Sequence, residues 1–105
     1  MASYRHTSRE AFDSMSGKLS GQLDIYIMRQ LKRHTPVGGI ICEDIEKAIG
    51  RKHQAVSGNL RHLVEAGLAE ATGNHGRTSS GRRAIKWAIT RYGVLVLGMT
   101  EATNA

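Results

Sequence analysis

Between Cys42 and Gly93 the chain reads, in order, as a short helix, a turn, a second helix closed by Ala66-Gly67-Leu68, a basic Gly-rich hairpin, and the run Ile89-Thr90-Arg91-Tyr92-Gly93. Two short helices followed at once by a hairpin form a unit that holds one helix out on a surface with a loop beside it. Charge follows the same stretch. Residues 51–91 hold eight Lys or Arg (Arg51, Lys52, Arg61, Arg77, Arg82, Arg83, Lys86, Arg91) against two acids (Glu65, Glu70), a balance of +6. The remaining residues hold seven basic and seven acidic groups, so the whole net charge lies in this half and favours a polyanionic partner.

The flanking segments supply a core. Thr7 with Glu10 is a capping box for a short helix whose apolar edge is Phe12 and Met15 and whose stop is Ser16-Gly17. Ser20 can cap the next helix, where Leu23, Ile27 and Leu31 recur at four-residue spacing. Thr35-Pro36-Val37-Gly38-Gly39 cannot continue it, and Ile40-Ile41 offers a short strand. Glu43, Asp44 and Glu46 meet the positive end of the next helix dipole while Ile45 and Ile49 face inward, and Gly50 ends that helix.

A second helix over 53–65 then places Val56, Leu60 and Leu63 on one side, with Gly67 as a left-handed stop and Leu68 turned back to the core. With Val56 at zero, Gln54, Gly58 and Arg61 fall at roughly 160°, 200° and 140°, opposite the apolar stripe, with Ser57 and His62 beside them. Residues 68–72 and 83–89 read as strands, the second because Arg83, Ile85, Trp87 and Ile89 alternate with Arg82, Ala84, Lys86 and Ala88. Residues 73–81 between them read as a long, polar, flexible loop. Thr90 can cap a last helix, in which Val94, Leu95, Val96 and Leu97 are apolar nearly all round.

A chain of 105 residues makes one domain, 1–105, with fraying expected at about 1–6 and 101–105. No apolar run approaches the roughly 18 residues of a spanning helix, and the first residues do not begin a signal peptide. The single cysteine, Cys42, has no disulfide partner within the chain. A cytoplasmic location is the expectation.

The motif residues Asp44-Ile45-Glu46, Ile49-Gly50, Ala55-Val56-Ser57 with Leu60 and Leu63, Glu65-Ala66-Gly67-Leu68, and Ile89-Thr90 with Gly93 resemble those of winged helix-turn-helix DNA-binding proteins. These include bacterial repressors of the multiple-antibiotic-resistance and arsenical-resistance types and small bacteriophage proteins. The resemblance covers about 19–97. It implies a mainly α fold with a small antiparallel β-sheet, a recognition helix at 53–65 and a wing at 68–89. Two departures stand out: Lys52 occupies the usual Ser or Thr cap position, and Gly58 interrupts the recognition helix.

On that resemblance Gln54, Ser57, Gly58 and Arg61, flanked by His62, would meet the major groove, where Gln can pair with an adenine edge and Arg with guanine O6 and N7. Arg51, Lys52 and His53 at the start of the helix, and Arg77, Arg82, Arg83 and Lys86 on the wing, would meet phosphates or a minor groove. The implied partner is double-stranded DNA, bound for transcriptional control; a homodimer of the first long and last helices is expected because Val94 to Leu97 offers more apolar surface than one small core can cover. The alternatives are a phage- or plasmid-type module that captures a host protein, or one that binds a replication or recombination site.

Catalysis has no foothold. Gly17-Lys18 lacks the rest of a phosphate loop and Ser57 lacks a nucleophile elbow. His6, His34, His53, His62 and His75 show no four-residue pairing and no partner for Cys42, so neither a metal site nor a cofactor is expected.

Overall fold

The computed structural model describes the backbone of residues 21–104 and the side chains of 21–102. The expected helix from Thr7 and the cap at Ser20 lie outside the described residues. Helix α1 (Gln22–His34) starts from Gly21 in extended conformation and buries Ile27 and Leu31 of the four-residue spacing, with Met28 beside them and Leu23 half-buried at the edge. Thr35–Val37 form one 3-10 turn, with Pro36 where its missing N–H is harmless. The Thr35 hydroxyl bonds the Leu31 carbonyl at 2.6 Å and accepts the Ile89 amide at 2.9 Å, which fixes the end of α1 against the sheet.

Strand β1 (Ile40–Ile41) leads directly into α2 (Cys42–Ile49), and α3 (His53–Glu65) follows after three residues. Helix α3 ends in a Schellman motif: Leu68 N–H reaches Leu63 O at 2.9 Å and Gly67 N–H reaches Val64 O at 3.0 Å. Gly67 takes φ 80°, as its position requires. Leu68 is fully buried.

Strands β2 (Ala69–Arg77) and β3 (Arg83–Ile89) form the hairpin, and β1 pairs with the other edge of β3, giving the antiparallel order β1-β3-β2. Ile40 stands opposite Trp87 and Ile41 opposite Lys86. Residues 73–81 are expected from the sequence to be a loop, but strand pairing resumes at His75 opposite Ile85 and continues to Arg77 opposite Arg83. A shift of register between Ala71 and His75 separates the two paired stretches. Thr72 stabilises this bulge, its hydroxyl donating to Lys86 O at 3.0 Å and accepting the Asn74 amide at 2.9 Å. Side-chain bonding thus replaces the ladder bonds that a polar, Gly-containing segment was expected to lose.

Alternation along β3 holds only near its base. Ile89 and Ala88 are buried and Trp87 packs on the core, but Ile85 is 42% exposed. The last helix, α4 (Arg91–Asn104), is capped by Thr90, whose hydroxyl accepts the Gly93 amide at 2.9 Å and donates to Gly67 O at 2.7 Å. It extends to Asn104, and Glu101 bonds Arg29 of α1 at 2.7 Å. The apolar run in α4 divides: Val96 and Leu97 enter the core, while Val94, Leu95 and Met99 are exposed.

One core joins all the helices to the sheet: Ile27, Met28 and Leu31 of α1, Ile45 of α2, Val56, Leu60 and Leu63 of α3, and Val96 and Leu97 of α4. This is a winged helix-turn-helix, with α2 and α3 as the helix pair and β2–β3 as the wing.

Candidate nucleic-acid interface

Burial of Val56, Leu60 and Leu63 determines what α3 shows outside. Arg51, Lys52, His53, Gln54, Gly58, Arg61 and His62 are exposed, and Ser57 is half-buried. Asn59 is the polar residue that turns inward: its amide donates to the carboxylate of buried Asp24 in α1 at 2.8 Å. This bond fixes the rotation of α3 about its axis, and no hydrophobic-pattern argument would have found it. Lys52 occupies the N-cap position in extended conformation without a side-chain cap bond, so the first amides of α3 are left to other acceptors.

Among the described residues nothing requires glycine at 58: a Cβ built there meets none of them within 4 Å. Arg61 contacts Glu65 one turn on at 3.8 Å, but both side chains are mostly exposed and such a pair contributes less than about 1 kcal/mol, too little to hold Arg61 from another partner.

The wing is braced rather than loose. At its tip the Thr78 amide bonds Arg82 O at 2.8 Å, and the Arg82 amide bonds the Thr78 hydroxyl at 3.0 Å. Glu43 of α2 then accepts from the Ser79 amide at 2.7 Å and the Ser79 hydroxyl at 3.2 Å. These bonds, the backbone one foremost, hold the Glu43 carboxyl below its ordinary pKa, with Lys47 adding to the effect at 3.4 Å. Arg77 donates to Gly81 O at 3.1 Å and Arg83 lies 3.3 Å from His75 Nδ1. Arg82 is exposed, and neither it nor Arg51 nor Lys52 has an acidic partner among the described residues. Lys86 is half-buried beside β1, inboard of the tip arginines.

A groove joins the wing to the start of α3, lined among others by Glu46, His53, Thr78, Arg83 and Trp87. At its α2 side lies an arrangement that corrects the expectation of no partner for Cys42. Cys42 Sγ donates to Glu46 Oε2 at 3.2 Å, and His53 Nδ1 lies 2.6 Å from the same oxygen. Burial, then the hydrogen bond to Glu46 and its charge, push the Cys42 thiol up to about 12. The signal was the spacing of Cys42 and Glu46, four residues apart on one helix face. A pattern of paired histidines does not capture it.

No protein-family model matches the chain, and no curated protein matches it. Solved structures do. A mutant of S. aureus MepR superposes with TM-score 0.64 at 17% identity, covering 95% of this chain and 67% of that one. The S. aureus MepR–DNA complex gives 0.58 at 22% identity, covering 99% and 67%. The transcriptional regulator SlyA gives 0.60 at 19% identity, covering 98% and 66%. At these identities the likeness is one of fold, and it agrees with the winged helix-turn-helix of multiple-antibiotic-resistance-type regulators. Among the described residues no helix is long and apolar enough to cross a membrane.

Proposed function

We propose that this chain binds double-stranded DNA in a sequence-specific way and acts in the cytoplasm as a transcriptional regulator. The observation that carries the reading is the outer face of α3, where Gly58 leaves open space between Gln54 and Arg61 with no packing among the described residues to explain it. Glycine there lets the helix backbone approach a surface closely. Gln54 and Arg61 then reach base edges, Ser57 and His62 flank them, and Arg51, Lys52 and His53 meet phosphates at the start of the helix. Arg77, Arg82 and Arg83 on the braced wing lie along the adjacent backbone or minor groove, with Lys86 adding charge behind them. The S. aureus MepR–DNA complex supports this use of the fold.

The active form is a homodimer. Leu95 at 63%, Met99 at 52% and Val94 at 39% exposure place an apolar strip on α4, beside the α1 edge marked by Arg29 and Glu101, and a second copy would cover it. Sedimentation at micromolar concentration tests this, and a monomer would contradict it.

The functional test compares two variants on a selected site and on random duplex. Arg61→Ala weakens the selected site by about 1–3 kcal/mol and random DNA little, because a base contact is lost. Arg82→Ala with Arg83→Ala weakens both and lowers the salt dependence, because backbone contacts release counterions. If Arg61→Ala stays folded with both affinities unchanged, α3 does not read DNA and capture of a protein becomes the better reading.

A further inference from the structure

Cys42, Glu46 and His53 place a thiol, a carboxylate and an imidazole within 4.8 Å of one another, and we infer that they form a site for a zinc-type divalent cation. Three features of local geometry make the cluster. Cys42 and Glu46 are four residues apart on α2, so their side chains share a face. The turn 50–52 brings the first residue of α3, His53, back over that face. Both Cys42 Sγ and His53 Nδ1 converge on one oxygen, Glu46 Oε2, at 3.2 and 2.6 Å.

A tetrahedral ion with bonds of about 2.0–2.3 Å keeps its donors roughly 3.3–3.8 Å apart, so small side-chain rotations suffice to admit it. The exchange balances. The hydrogen bonds converging on Glu46 give way to metal bonds: the Cys42 S–H bond breaks, its proton passes to solvent, and Sγ bonds the metal, while Nδ1 coordinates in the tautomer that carries hydrogen on Nε2. Sulfur with nitrogen and one oxygen selects zinc or a similar borderline metal over magnesium or calcium. His53 is 70% exposed, so a fourth position opens towards solvent, where water completes the tetrahedron. Once bound, the ion ties the start of α3 to α2.

The test is titration of the full chain with Zn2+ against a competing chelator dye, and with Co2+ as a spectroscopic stand-in. One equivalent binds, about one proton is released for the Cys42 thiol, millimolar Mg2+ does not compete, and bound Co2+ shows thiolate charge-transfer absorption. Cys42→Ser abolishes that absorption. Cys42→Ser, Glu46→Gln and His53→Gln each weaken zinc by at least the ~10- to 100-fold that loss of even an outer-shell partner brings. His53→Gln lies at an exposed position, which keeps the test decisive should Cys42→Ser fail to fold. Zinc affinity unchanged in a folded variant of any of the three, or a cobalt spectrum without a thiolate band, overturns the site.

Discussion

Gly58→Ala separates what α3 needs for folding from what it needs for binding. The residue sits mid-helix and exposed, and an added methyl meets no atom of the described residues within 4 Å, so the substitution brings no clash with them in the free protein. Alanine is preferred over glycine in a helix interior by about 0.8–1.0 kcal/mol. For a domain of this size a gain of about 1 kcal/mol raises Tm by roughly 4–8 °C. Against DNA the sign reverses. The methyl lies on the face opposite Val56 and Leu60, where it holds the helix backbone off the base edges, and the selected site should weaken by about tenfold or more, equivalent to about 1.4 kcal/mol. Thermal denaturation and fluorescence anisotropy on the same preparation measure both. A higher Tm with unchanged DNA affinity would refute the assignment of this face. An unchanged or lower Tm would refute the claim that glycine has no structural purpose there.

Gly93→Ala should do the opposite, because a Cβ there runs into Leu68 O and comes within 2.7 Å of Ile89 Cγ1 and 3.0 Å of Met28 Cε. Overpacking against backbone should cost about 3 kcal/mol or more, seen as a fall in the urea midpoint. In chelator-containing buffer at pH 8, Cys42 should alkylate at least a hundredfold more slowly when folded than in denaturant, since its pKa is raised to about 12. The corresponding stability is full below the ordinary thiol range and declines as pH rises towards that value. Glu43 acts at the other end of the scale: with its folded pKa depressed, the brace on Ser79 is fully present above the ordinary carboxylate range and is lost only as pH falls below that range, through the depressed folded value. Hydrogen exchange of the Ser79 amide, corrected for intrinsic rate, should therefore quicken in Glu43→Gln at neutral pH.

Elements set by local patterns were legible in the sequence. The stripe of Val56, Leu60 and Leu63, the Gly67 stop and the Thr90 cap depend on spacing and backbone chemistry within a few residues, and each stands where the pattern puts it. The outer face of α3 followed from its inner face, which is why Gln54, Gly58 and Arg61 were identified and Asn59 was not: Asn59 turns inward only because Asp24, 35 residues earlier, is buried opposite it. The wing stands where the pattern puts it, but its loop is shorter than the polarity of residues 73–81 implies, for a similar reason. Thr72, Asn74 and Glu43 stabilise its bulge and tip through partners far along the chain, so a segment polar enough to be a loop is mostly strand. Cys42 and His53 meet through the turn between two helices and through Glu46, whose dipole charge and motif position in the sequence do not signal that contact.

The central claim is that α3 and the wing read duplex DNA, and selection from a random duplex pool with the wild-type chain tests it most directly. The expected result is an enriched motif arranged as an inverted repeat, its half-sites about one helical turn, 10–10.5 base pairs, or a multiple of it apart, as a two-fold dimer requires. Recovery of unenriched sequence, or of no DNA at all from a folded preparation, would contradict it.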